Sequence, residues 1–231
     1  MADTLHAWYY LPCALHEPAF NMALDEAILR AAPALGRPVL RFYGWSAPAA
    51  TFGFFQKYAE LERLTALRPL IRRPTGGGLV PHDADWTYSV AVPPADAWYD
   101  LRAAQSYQRM HQWIQGALAR LGLATELAPQ RREEAPGQCF AGYEQFDLLR
   151  HGRKIAGAAQ RRTREGLLIQ GSLQPPPRGL ARADWEAAML AHAREQWQVG
   201  WEVLVPPPAL LEEARHLAAT KYACPAYNAR R

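Results

Sequence analysis

Cysteine is scarce in this 231-residue chain, which has three, at positions 13, 139 and 224. So few, and an odd number, exclude a disulfide framework and indicate a reducing compartment, the cytoplasm. No stretch approaches the ~18 consecutive apolar residues that a membrane span requires. Met1 to His6 has neither the basic nor the apolar segment of a secretion signal, so none is expected. Metal-ligand Cys/His spacing is absent, so no metal is expected. Also missing are internal repeats, low-complexity tracts and a convincing linker, which leaves one domain over residues 1–231. Charge of one sign is not in large excess: 26 Lys and Arg face 22 Asp and Glu, for a net +4. Without long Lys/Arg runs or aromatic–basic interleaving, nucleic acid is not expected as a partner. An acidic protein suits the mild basicity. Hydrophobic residues at 49% are ample for a core.

What the chain does have is the run Arg72-Arg73-Pro74-Thr75-Gly76-Gly77-Gly78-Leu79-Val80-Pro81-His82-Asp83. Apolar Pro69-Leu70-Ile71 precedes it and the β-rich Trp86–Val92 follows, so the pattern predicts strand, tight glycine loop, strand. Three adjacent glycines let a ligand lie directly against backbone. Arg72 and Arg73 bring positive charge to one end, and His82-Asp83 brings a titratable pair to the other. A flexible hairpin loop is the plainer reading, but it needs none of this flanking chemistry. The run lacks the Gly-Lys-Ser/Thr ending of a nucleotide P-loop and the spacing of a dinucleotide site.

Elsewhere, periodicity predicts a strand from Tyr9, and a helix over Pro18–Ala31 bounded by Pro33, with Asp25, Glu26 and Arg30 off its apolar face. Strands are expected at Val39–Tyr43 and Thr51–Gln56, with a short helix over Tyr58–Leu67. A long helix spans Asp100–Leu121, with His111 as a packed, hydrogen-bonded residue near its apolar stripe. Tyr143–Leu149, Lys154–Gln160 and Leu167–Leu173 form a meander turning at His151-Gly152 and at Thr163–Gly166. Helices follow over Asp184–Gln196 and Ala209–Ala219. Arg161, Arg162 and Arg164 read as a solvated turn.

Cys139 and Lys154 are the candidates for chemistry. Cys139 follows a proline and a glycine in a loop where a thiol can be exposed, although free cysteine is more often a small buried hydrophobe. A nearby cation would raise its thiolate fraction, and Lys154 is the candidate. In a simple hairpin, however, Lys154 pairs near Leu149 and Cys139 lies about five pairs away, too far at ~3.3 Å per residue. Contact requires the loop before Tyr143 to fold back. Cys13 and Cys224 have no such context.

The glycine run resembles the Arg-Arg-x-Ser/Thr-Gly-Gly-Gly-x-Val-x-His-Asp signature of the lipoate–protein ligase and octanoyltransferase superfamily. Thr75 stands at the Ser/Thr position, and Pro81 replaces a usual apolar residue. Gly152-Arg153-Lys154-Ile155-Ala156-Gly157-Ala158-Ala159-Gln160 resembles its second signature, with Ala158 where serine is common. Asn21–Glu26, Arg41–Trp45 and Lys221-Tyr222 add weaker likeness, and Cys139-Phe140 resembles the cysteine/lysine octanoyltransferases. The resemblance implies an α+β fold: a mixed, largely antiparallel sheet with flanking helices, as in the biotin/lipoate ligase catalytic domain, without an accessory C-terminal domain.

It implies octanoyl transfer from acyl carrier protein to a lysine of a lipoyl domain or glycine-cleavage H protein, by a monomer. The catalytic residues would be Cys139 and Lys154. Arg73, Thr75, Gly76, Gly77, Gly78, His82, Gly157 and Ala158 would bind substrate, with glycine N–H groups as oxyanion donors. No cofactor is implied. ATP and Mg enter only under the alternative of an ATP-dependent lipoate ligase, in which Cys139 is incidental. A lipoyl- or octanoyl-binding protein without turnover is the non-enzymatic alternative.

Overall fold

In the computed structural model, which describes residues 6–132 and 142–230, the chain enters as strand β1 (His6–His16) and helix α1 (Pro18–Leu35). Strands β2 (Val39–Trp45) and β3 (Ala49–Phe52), helix α2 (Tyr58–Leu61), and strands β4 (Leu70–Arg72), β5 (Val80–His82) and β6 (Trp86–Val92) follow. Next come helices α3 (Ala97–Asp100) and α4 (Ala103–Arg120), then strands β7 (Glu126–Leu127), β8 (Leu148–Arg150), β9 (Arg153–Thr163) and β10 (Gly166–Leu173). Helix α5 (Arg182–Trp197), strand β11 (Val199–Val203), helix α6 (Pro208–Leu217), a π-helical turn (Ala218–Tyr222) and helix α7 (Pro225–Asn228) complete it.

Among the described residues, eight strands form one sheet in the order β11-β1-β2-β6-β10-β9-β8-β7. The β11–β1 and β1–β2 pairs are parallel, and the other neighbouring pairs are antiparallel. This is the mixed, largely antiparallel α+β fold. Side chains alternate across it with a period of two. Leu40, Phe42, Tyr88, Val90, Leu167 and Ile169 share one core with Trp113 and Ile114 of α4 and Trp185 and Met189 of α5. Val39, Ala91 and Leu168 face the other side, against α1 and α6. A small sheet, β4-β3-β5, packs as a third body around Phe52, Leu61 and Leu79.

Several boundaries differ from the sequence expectation. Helix α1 runs through Pro33 and ends where Gly36 takes φ 67° and its N–H bonds to the Ala32 carbonyl. Proline in the last turn forfeits one hydrogen bond without ending the helix, whereas the left-handed glycine does end it. The glycine run does not close a hairpin, because β4 and β5 lie on opposite sides of β3. Trp86–Val92 belongs to the large sheet instead. The 100–121 helix breaks at Leu101, which is extended and separates α3 from α4. Arg161 and Arg162 stand in β9: Arg161 lies over the Phe54 ring at 5.3 Å, and Arg162 donates to the Leu101 carbonyl at 2.8 Å. The turn itself holds only Arg164, beside Glu165.

The largest correction concerns the polar side of α1. Asp25 and Glu26, expected off the apolar face, are buried, as is Asn21, because α1 is covered by the sheet on one side and by α6 on the other. Asp25 is satisfied on both oxygens. Oδ1 accepts from Arg41 Nη1 at 2.6 Å and from Ser89 Oγ at 2.7 Å. Oδ2 accepts from the Tyr43 hydroxyl at 2.9 Å and from Gln170 Nε2 at 2.7 Å. Arg41 also donates to the Asn21 carbonyl and side-chain oxygen. Burial, reinforced by the Asp25 charge, pushes the Tyr43 hydroxyl well above its ordinary range, so it remains a donor.

The chain end clasps this helix. Glu26 Oε2 accepts from Lys221 Nζ at 2.6 Å and from the Tyr222 hydroxyl, and Oε1 accepts from Arg30. Asn228 accepts the Arg72 backbone N–H at 2.8 Å.

Replacing Arg41 with Met should cost about 3–5 kcal/mol, because Asp25 is left as a buried charge without its partner; equilibrium denaturation of Arg41→Met measures it, and Arg41→Met/Asp25→Leu should recover part. Burial alone would raise the Glu26 carboxyl, but Lys221, Tyr222 and Arg30 hold it below its ordinary value of 4.5. A depressed carboxyl stabilises the fold above its unfolded pKa and loses that contribution as pH falls through the folded one. The stability gap between wild type and Glu26→Gln should therefore be constant above about pH 5 and close as the solution is acidified further, as measured by denaturation across a pH series.

Candidate active site

The large and small sheets face each other across a narrow cleft. Met22, Tyr43, Trp45, Thr51, Val80, Thr87, Ala159 and Gly171 line it together with Arg73, His82, Lys154, Gly157 and Ala158. Five residues selected from sequence thus meet in one place. Thr75 lies one step behind, its hydroxyl donating to Gln170 Oε1 at 2.8 Å, and Gln170 lines the cleft and reaches Asp25. Cys139 lies outside the described residues. The lone thiols at Cys13 and Cys224 are exposed and half-buried, away from the cleft lining.

The glycine loop is shaped by what it touches. The Arg73 guanidinium is buried beneath it, donating to the carbonyls of Gly76 at 2.6 Å and Gly78 at 2.7 Å. Gly77 has φ 84°, and its carbonyl lies so near Gly53 that a side chain there would meet it at 1.9 Å. These glycines serve loop–backbone and loop–arginine contact and are not part of the cleft lining. Arg72 is also committed internally, donating to the carbonyls of Phe54 and Gln56, each at 2.7 Å.

Lys154 pairs with Leu149 across the β8–β9 hairpin, as the register predicts. Its Nζ lies 2.7 Å from Asp147 Oδ2, with 7% and 0% of the two side chains exposed. Gly157 makes this possible: a Cβ there would sit 2.7 Å from Nζ and 2.5 Å from Cε. Asp147 also accepts from the Tyr107 hydroxyl and from the Glu144 N–H, and the Ala158 N–H donates to the Tyr107 oxygen at 3.3 Å. Burial first, then the Asp147 charge, pushes the Tyr107 hydroxyl far above its usual range. Beneath it, burial brings His111 down to about 4, outweighing Asp147. His111 is a neutral packing residue whose Nδ1 donates to the Tyr107 carbonyl at 3.0 Å.

Asp147, Tyr107 and Asp85 are absent from the sequence reading. Asp147 sits in a turn closed by its own N–H on the Glu144 carbonyl, not in the strand expected over Tyr143–Leu149. Tyr143 instead bridges Arg132, so the estimate of five extended pairs does not apply here. Arg132 and Gly142, which flank the undescribed segment, share a recess with Lys154.

His82 pairs with Asp85 rather than with its neighbour Asp83, which is exposed. Its Nδ1 lies 2.9 Å from Asp85 Oδ2 and its Nε2 lies 2.8 Å from Thr51 Oγ1, while the ring stacks on Trp45 at 4.0 Å. Burial would raise the Asp85 carboxyl, but His82, Ser172 and Thr87 outweigh it and hold it below the ordinary carboxylate range. An ionised Asp85 only accepts, which places a proton on the facing Nδ1. Among the described residues, no group of three or more His, Cys, Asp or Glu side chains could hold a metal ion, and no helix is long and apolar enough to cross a membrane.

The lipoyl protein ligase A/B catalytic domain model matches residues 17–174, and the chain belongs to that family. It is 33% identical over 182 residues to octanoyltransferase LipM of Halalkalibacterium halodurans, covering 73% of this chain and 66% of that protein. To octanoyltransferase LipM of Geobacillus kaustophilus it is 35% identical over 179 residues, covering 72% and 64%. The matches thus span slightly less than two thirds of those relatives' own length. Among solved structures, lipoate-protein ligase A bound with ATP superposes with a TM-score of 0.78 at 20% identity, covering 97% of this chain and 99% of that one. A bi-partite lipoate protein ligase from Thermoplasma acidophilum gives 0.75 at 20%, covering 98% and 97%. At this identity the likeness is one of fold.

Gly157→Ala should leave the fold intact, since the displaced atoms are the flexible end of a lysine, but should force Lys154 off Asp147. A crystal structure of the variant should show the ion pair opened beyond about 4 Å, the limit of a close pair; an unchanged pair would refute this role for Gly157.

Proposed function

We propose that the chain transfers octanoyl from acyl carrier protein to a lysine of a lipoyl domain or glycine-cleavage H protein, in the cytoplasm. The observation that carries this reading is the Lys154 ammonium, fixed by Asp147 at the wall of a cleft largely lined by Met22, Trp45, Val80, Ala158 and Ala159. An alkyl chain fits such a lining, and a fixed cation suits the carbonyl at its head. The resemblance to octanoyltransferases of 33–35% identity supports the same reaction.

In this reading Cys139 is the nucleophile. Its thiolate attacks the donor thioester, octanoyl passes to Cys139, and the carrier leaves as its thiol. The acceptor amine then takes the acyl group as an amide, releasing Cys139. Lys154 favours the thiolate and either orients the thioester carbonyl or shuttles protons. The recess shared by Lys154, Arg132 and Gly142 supports a thioester formed near Lys154. The scheme uses no metal and no ATP.

Intact-protein mass spectrometry after mixing with octanoyl–acyl carrier protein, without ATP, tests the proposal. A single octanoyl adduct should form, disappear when a lipoyl domain is added, and be absent in Cys139→Ala. Acceptor modification only with ATP and free lipoate would instead indicate a ligase, and binding without any labelling would indicate a carrier or sensor.

A further inference from the structure

Helix α4 has a second polar face. Gln105, Arg109 and Gln112 recur along it at steps of four and three, while Tyr107 and His111, which meet the Asp147 cluster, lie about half a turn round. Opposite this stripe α5 brings His192, Gln196 and Trp197, and the two helices enclose a recess in which no carboxylate is among the described lining residues. Arg109 lies over both rings of the edge-to-face Trp98–Trp197 pair, 4.8 Å from each centroid. Burial pulls its guanidinium below the ordinary value, against the charge of Asp96, which is itself engaged with the Trp98 N–H at 2.8 Å. Among the described residues Arg109 makes no hydrogen bond and no ion pair, and Gln112, His192 and Gln196 make no hydrogen bond. The Gln105 carbonyl oxygen is taken by the Arg102 N–H at 3.0 Å, which leaves its amide N–H groups over. His192 is seated on Gly116, where a Cβ would meet its ring at 2.1 Å. Burial, then Arg120, lower its pKa against Glu195, so at pH 7 it is neutral and offers one N–H.

Contact with ring faces uses none of the N–H groups of a guanidinium. Here a cation drawn partly out of water stands among amides and an imidazole that can all donate to the same ligand. We infer that the α4–α5 recess binds a phosphate group, held by the Arg109 fork and closed over by Gln105, Gln112, Gln196 and His192. Phosphate oxygens only accept, which matches a lining rich in donors, and the planar guanidinium can bridge two of them. A carboxylate has two oxygens in one plane and would leave part of that lining without a partner. Glu195 does not compete for Arg109, being paired with Arg120 at 2.5 Å. The ligand is inorganic phosphate or a phosphate monoester. No step of the proposed acyl transfer runs through this recess, so the site goes beyond that reading and does not depend on it.

The test is a proton–nitrogen NMR titration of the full chain with inorganic phosphate, at fixed pH and with sodium chloride exchanged to hold ionic strength constant. The side-chain amides of Gln112 and Gln196 and the indole N–H of Trp197 should shift together and saturate. Arg109→Gln should weaken binding by about 10-fold or more, the weight of a charge-assisted hydrogen bond. Gln112→Glu, at an exposed position where the fold is not at stake, should do the same by placing a like charge beside the ligand. Arg215→Gln, the same loss of charge on α6, should bind as wild type does, and the spectra themselves report that each variant is folded. Methyl phosphate, titrated in parallel, separates the sources: tighter binding than inorganic phosphate marks a phosphorylated small molecule, equal or weaker binding the free ion. Shifts that do not saturate, acetate binding as tightly as phosphate, or a folded Gln112→Glu that binds like wild type would each overturn the site and leave Arg109 a purely structural residue.

Discussion

The structure depends on a buried ion pair. Arg41 and Asp25 lie 2.6 Å apart, at 2% and 0% exposure, in the layer between α1 and the sheet. Such a pair is tolerable only when every remaining oxygen and N–H finds a partner, and Asp25 finds Ser89, Tyr43 and Gln170. Those partners come from β6, β2 and β10, so one carboxylate sets three strands against one helix. Gln170 extends the same chain to Thr75, which ties the glycine loop to the core. The loop is therefore held from two sides, by Asp25 through Gln170 and by Arg73 through the loop carbonyls.

The cleft inherits its character from this arrangement. Its polar groups are each committed to a partner behind the wall: Lys154 to Asp147, His82 to Asp85, Tyr43 to Asp25. What faces inward is chiefly ring and alkyl surface, with charges whose positions are fixed before any substrate arrives. Preorganised charge in a place with little water needs no reorganisation during reaction, which is where an enzyme site differs from a solvated cluster of the same residues.

Much of this was legible in the sequence. The alternation in Trp86–Val92 gave β6 at its observed limits, and the Leu149–Lys154 register followed from the His151-Gly152 turn, both of whose residues have positive φ. Periodicity reports faces, however, and not partners. It placed Asp25 and Glu26 off the apolar face of α1 because it could not know that sheet side chains meet Asp25 and that Lys221 and Tyr222 meet Glu26. It read Tyr143–Leu149 as a strand because nothing local distinguishes a paired residue from Asp147 in a turn. Strand β11 was invisible because its partner β1 is almost two hundred residues away, and the role of Gly157 because its neighbour is a side chain rather than backbone.

The clasp at the chain end gives the fold a direction in time. Asn228 meets Arg72 across a separation of 156 residues, and Lys221 meets Glu26 across 195. A chain made from its N-terminus has α1, the small sheet and the glycine loop in hand long before those partners exist. Until they emerge, Glu26 lacks two of its donors and the Arg72 end of the loop lacks its anchor. The loop and helix α1 thus stay without these anchors during synthesis until residues 221–228 have been added.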